Sequence, residues 1–98
     1  SNRLAVFYHI GEGEYHTFLN GITLFCWDGQ KAKIIAQKTW GGTNWVCFSE
    51  HFAKEQSISM LKDYLAAQAK ALNNHISEQQ LVSFAREMIE ETRRKQIA

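Results

Sequence analysis

Apolar positions follow two different periods along the chain. Up to about residue 50, short apolar segments alternate with corners rich in Gly, Asn and Asp; beyond it, apolar residues recur every three to four positions. This predicts an α+β fold, with an antiparallel β-meander of four to five strands in residues 3–50 followed by two C-terminal α-helices in residues 51–96. Residues 1–98 are expected to form a single domain, and no repeat, long linker or low-complexity stretch divides them.

Strands are predicted at residues 4–10, 14–19, 22–27, 31–40 and 45–49, the second being the least regular. Asn20-Gly21 is the strongest hairpin signal, because both residues tolerate the positive φ of a type I′ turn. Gly11-Glu12-Gly13, Asp28-Gly29 and Gly41-Gly42-Thr43-Asn44 supply the other corners. A two-residue turn at Asn20-Gly21 sets Leu19 opposite Ile22, Thr17 opposite Leu24 and Tyr15 opposite Cys26 on one inner face. A three-residue corner at Asp28 adds Ala32, Ile34 and Ala36 to that face, whereas a two-residue corner would place Lys31 and Lys33 there. The register that buries no lysine is preferred, and the Gly41 to Asn44 loop then pairs Trp40 with Trp45.

In the second half, Ile58, Leu61, Tyr64, Leu65 and Leu72 predict a helix over residues 57–72, closed by Asn73-Asn74, whose side chains accept the left-handed conformation. Ser49 can cap a short turn over residues 50–54 that docks Phe52 on the sheet. Ser77 with Gln80 forms a capping box, and Leu81, Val82, Ala85, Met88, Ile89 and Thr92 make an apolar stripe opposite Arg86, Glu87, Glu90 and Glu91. This helix is expected to reach about Lys95.

Composition agrees with the division: all six glycines lie between Gly11 and Gly42, and nine of the twelve aromatics precede His51. Lys plus Arg total 11 against 10 Asp plus Glu, a net charge of +1, so broad electrostatic attraction to nucleic acid is weak. The longest apolar run, at residues 4–8, is far too short to span a bilayer, and no signal-peptide pattern opens the chain. A soluble, cytoplasmic protein with no membrane partner is expected. Ser1 and Asn2 stand where an initiator Met is expected and read as a tag remnant.

Candidate chemistry is sparse. Cys26 and Cys47 fall on strands separated by one other, about 9 to 10 Å apart, beyond disulfide reach, so two free thiols on the inner face are expected. Cys47 and His51 could ligate zinc with Cys26, His16 or His9, or act as a nucleophile and base. The paired short spacings of a zinc site and any recognised Cys/His signature are absent, so no metal, cofactor or catalytic residue is assigned. Gly11-Glu12-Gly13-Glu14 lacks the Lys-Ser/Thr and the following helix of a phosphate loop. Glu12 and Glu14 beside His9 and His16 read as a solvated rim, and His75 as a polar residue between the helices.

The opposite, outer face is more apolar than a water-facing sheet usually is: alternation sends His16, Phe18, Thr23, Phe25, Trp27, Lys31, Lys33, Ile35, Val46 and Phe48 to it. Either a helix covers this face or it binds a partner. Phe25, Trp27 and Phe48, with Lys31 and Lys33 at the rim, form the candidate partner surface. The expected function is a small noncatalytic protein–protein interaction module, self-association as a homodimer included; its size, its lack of proline and its lack of catalytic signature suit phage- or plasmid-type accessory or inhibitor proteins. The alternatives are a single-stranded nucleic-acid binder that stacks bases on the sheet aromatics, and a small Cys/His enzyme or zinc-binding protein.

Overall fold

Asn20-Gly21 makes no turn. In the computed structural model, which describes residues 3–97 and the side chains up to residue 93, both lie inside one continuous strand. The strands are β1 (Arg3–Glu12), β2 (Thr17–Trp27), β3 (Ala32–Thr39) and β4 (Val46–Cys47), and the helices are α1 (Glu50–Ala71) and α2 (Glu78–Ile97). The tag-remnant reading of Ser1 and Asn2 lies outside the described residues. The fold is α+β: an antiparallel sheet of four strands with the β1-β2-β3 meander, followed by two helices.

β2 is central. β1 pairs along its whole length on one edge, and β3 and the short β4 share the other, with β4 opposite Phe18 and Leu19. The first corner falls at Gly13 to His16, where the Gly13 N–H donates to the His16 carbonyl at 2.8 Å. Tyr15 therefore lies in the corner, and Thr17, opposite Glu12 at the start of β2, is exposed. Asn20 is instead the extra residue of a β-bulge: His9 pairs with Gly21 and Ile10 with Leu19. Its carbonyl accepts from the Trp40 N–H at 2.9 Å. Pairing β2 with strands on both edges satisfies far more backbone groups than a hairpin at Asn20-Gly21 would, and this outweighs the local turn preference.

The corner between β2 and β3 takes four residues, not three. Asp28 Oδ1 accepts from the Gln30 and Lys31 backbone N–H groups at 2.8 and 3.0 Å, and Trp27 pairs with Ala32. These bonds to the ionised form hold the Asp28 carboxyl below its ordinary pKa, the Lys31 bond contributing most. The even-numbered corner sends Ala32 and Ile34 to the outer face beside Trp27 and Phe25, and turns Lys33 to the inner face beside Cys26, where it stays exposed. A second bulge, at Ile35, then restores the inward direction, so that Ala36 joins Leu24 and both Ile35 and Ala36 pack on the core.

Both helices lie on the inner face. Leu19, Ile22 and Leu24 of β2 form one core with Ala53, Ile58 and Leu61 of α1 and Ala85 and Ile89 of α2. β1 adds Leu4, Val6 and Tyr8 at its margin. The predicted short turn and first helix are one element: Ser49 caps α1 by accepting from the Phe52 N–H, and no Gly or Pro interrupts the run. At its C-terminus Asn73 adopts φ 55°, with the Asn74 N–H donating to the Ala69 carbonyl and the Asn73 N–H to that of Lys70, a Schellman closure. Ser77 Oγ accepts from the Gln80 N–H at the start of α2, as the capping pattern predicts. Among the described residues four ion pairs join the helices, the best formed being Arg86 to Glu55, with two bonds of 2.7 and 2.9 Å.

Candidate interaction face

With both helices on one side, the other side of the sheet is left uncovered. β1 presents Arg3, Ala5, Phe7 and His9 there, β2 presents Phe18, Thr23, Phe25 and Trp27, and β3 presents Ala32, Ile34 and Gln37, as the pairing register requires. Phe7 is 54% exposed, Ile34 52% and Trp27 43%, although these are large apolar side chains on regular strands. Phe7 and Phe25 pack edge to face with centroids 5.3 Å apart. Together with Arg3, Ala5, Trp27 and Ala32 they line a shallow cleft of about 380 Å³ whose only charged member is Arg3.

A polar band crosses the middle of this face. Thr23 Oγ1 accepts from Gln37 Nε2 at 3.0 Å and lies 2.8 Å from His9 Nε2. A hydroxyl and an imidazole at this distance could in principle act as nucleophile and base. Thr23, however, is 1% exposed beneath its neighbours, so an incoming carbonyl has no approach to its oxygen. The three side chains satisfy one another and tie β1, β2 and β3 together. Beyond the band, Phe18 meets Trp45 at 5.5 Å and His16 at 6.2 Å, a second aromatic group at the far end of β2.

Of the five residues singled out from the sequence, the structure brings two together. Phe25 and Trp27 share the uncovered face. Lys31 sits in the Asp28 corner and Lys33 is on the reverse face. Phe48 also lies on the helix side, against Tyr8 with centroids 6.1 Å apart, and Val46 and Ile35 pack on the core with it. β4 enters the sheet beside β2 with Val46 opposite inward-facing Leu19, which sets the direction of Val46 and reverses that of Cys47. Trp40 packs at a tilt against Phe52 beneath the sheet and Trp45 edge to face with Phe18 above it, so the expected pairing of the two tryptophans does not form.

Phe7 and Ile34 were not picked out. For Phe7 the signal is present in the alternation Arg3, Ala5, Phe7, His9; for Ile34 it is hidden by the four-residue corner, which reverses the face expected from a three-residue one.

Both cysteines are free. They sit on opposite faces, Cys26 half-buried and paired with Leu4 and Lys33, Cys47 exposed and paired with Phe18, so the expected common inner face is wrong for Cys47. β4 pairs directly with β2, without the intervening strand expected from the sequence; the cysteines stay apart because Cys47 lies opposite Phe18, near the start of β2, and Cys26 near its end. Among the described residues, no three His, Cys, Asp or Glu side chains converge as metal ligands would. No helix among them is long and apolar enough to cross a membrane.

Comparison with protein-family models, with curated proteins and with solved structures returns no match for this chain.

Proposed function

We propose that this chain is a noncatalytic protein-interaction module that pairs with a second copy of itself through the uncovered face of its sheet. The observation that carries this reading is the cluster of Phe7, Phe25, Trp27 and Ile34 on a face that neither helix touches. Aromatic residues exposed together on a rigid sheet bury area at low entropic cost, which is how interface anchors work. A face must match itself across a two-fold axis, and one dominated by a single charge would repel its copy. Here Arg3, at one end, is the only Lys, Arg, Asp or Glu among the residues of β1, β2 and β3 that the register turns outward before the bulges. Two such sheets stack about 10 Å apart with side chains interleaved, as in a β-sandwich.

Single-stranded nucleic acid is the second reading, supported by the same aromatics. The position of the lysines weighs against it: Lys31 is in a corner and Lys33 on the reverse face, so no line of cations follows Phe25 and Trp27 to accompany phosphates. Trp27→Ala separates the two. Under the first reading it weakens self-association by about 2 kcal/mol or more and leaves the fold intact, with little salt dependence. Under the second, the native chain binds a single-stranded oligonucleotide with an affinity that falls steeply with salt, and Trp27→Ala lowers that affinity instead.

A further inference from the structure

Burying the uncovered face against a second copy obliges Arg3, the one charge that the strands turn outward before the bulges, to meet a counter-charge or lose hydration for nothing. Among the described residues Arg3 enters no ion pair, nor do Glu12 and Glu14 at the other end of β1, and all three are exposed.

The pairing register makes the face alike at its two ends. Phe7 pairs with Thr23; four residues along β1 in one direction Arg3 pairs with Trp27, and four in the other Gly11 pairs with Phe18, the bulge at Asn20 absorbing the extra residue of β2. An aromatic group thus stands at each end of β2, about 13 Å from the middle. One is Trp27 with Phe25; the other is Phe18, against which Trp45 packs while still 57% exposed. The Phe18 ring also lies on the corner that carries the acids, since a Cβ at Gly13 would collide with it.

Aligned stacking of two such sheets leaves two choices of two-fold axis through the level of Phe7 and Thr23. An axis along the strands sets Trp27 against its own copy and carries Arg3 over the opposite edge, where Lys31 and Lys33 stand and Asp28 already accepts two backbone N–H bonds. An axis across the strands reverses each strand over itself. Trp27 then covers Phe18 and Trp45 of the copy, and Arg3 lies over Gly11, beside the corner of Glu12 and Glu14. Of the two, this axis alone gives Arg3 a counter-charge, and it does so at both ends of the interface.

We infer, on the self-pairing proposed above, that the two copies stack with their strands antiparallel, so that Phe18 and Trp45 form the receiving half of the interface and Arg3 of each copy faces the Glu12 and Glu14 corner of the other.

Charge exchange tests this arrangement. One chain carries Arg3→Glu, the other Glu12→Lys with Glu14→Lys; every substituted position is exposed, so the thermal midpoints are expected to match the native one. In sedimentation equilibrium at low salt each variant alone is expected to dimerise at least about tenfold more weakly than the native chain, because like charges meet at both ends, and an equimolar mixture is expected to recover native affinity as a heterodimer. Trp45→Ala is expected to weaken the native dimer by at least about tenfold as well. Variants that each dimerise like the native chain, a mixture that gains nothing over them, or a Trp45→Ala chain of native affinity overturn the antiparallel arrangement and leave self-pairing standing. A native chain that is monomeric at every concentration removes self-pairing itself, and the arrangement with it.

Discussion

Phe7 and Phe25 meet edge to face with ring centroids 5.3 Å apart and planes at 88°, on neighbouring strands of the face that neither helix covers. Phe25 belongs to the central strand and is half-buried, while Phe7 leans on it from the edge. Such a pair couples energetically beyond the area each ring buries. A double-mutant cycle of Phe7→Ala and Phe25→Ala, read by urea unfolding, is expected to give a coupling of about 0.5 to 1.5 kcal/mol. A value near zero would mean that the rings are merely adjacent.

Gly21 sits where three strands converge. A Cβ there would stand 3.1 Å from the Lys38 carbonyl oxygen and 3.5 Å from both the His9 ring and the Thr39 methyl. The backbone oxygen belongs to the β2–β3 ladder and cannot retreat without loss of pairing. Gly21→Ala is therefore expected to destabilise the domain by about 1 to 3 kcal/mol, as overpacking does, measured by thermal or urea unfolding. An unchanged midpoint would contradict the bulged, three-stranded environment.

The same residue marks the limit of what the sequence discloses. Asn20-Gly21 carries the side chains of a type I′ turn, and a reading of neighbours alone places a hairpin there. The outcome is decided by partners distant in sequence: β1 on one edge, and β3 with the Trp40 N–H on the other. Helices are more legible because their signals are local, as the Ser49 cap, the Ser77 cap and the Asn73 closure illustrate. At the candidate site, Phe25 and Trp27 could be read from alternation along one strand. Ile34, Lys33 and Phe48 depended on a four-residue corner, a bulge and the entry of β4, and each of these changes the face on which a side chain emerges.

The two thiols should report the two faces. Cys47 is exposed and Cys26 half-buried, so titration of the native chain with a thiol reagent is expected to show one fast equivalent and one slow. Cys47→Ser removes the fast phase. Equal rates, or two equivalents released only in denaturant, would contradict the outward direction of Cys47.

Acid should loosen the hairpin through Glu55. Its carboxyl is held below the ordinary value, first by the hydrogen bond from Arg86, with the charges of Arg86, His51 and Lys54 acting in the same direction. A carboxyl whose pKa is lower folded than unfolded adds stability above its unfolded value, and that stability is lost as pH falls through the folded one. Arg86→Gln is thus expected to lower stability at neutral pH and to flatten its decline between about pH 6 and pH 3, with a smaller difference in high salt because the pair is largely solvated. Parallel pH profiles for the two proteins would contradict the linkage.

The account rests on the uncovered sheet face being an interface, and sedimentation equilibrium across a wide concentration range tests this most directly. The native chain is expected to pass from monomer to dimer. Ile34→Lys, a charge placed among Phe7, Phe25 and Trp27, is expected to remain monomeric with an unchanged thermal midpoint, while Leu72→Lys on the helical hairpin dimerises as the native chain does. A native chain that stays monomeric at every concentration, or a dimer that Ile34→Lys leaves intact, would contradict it.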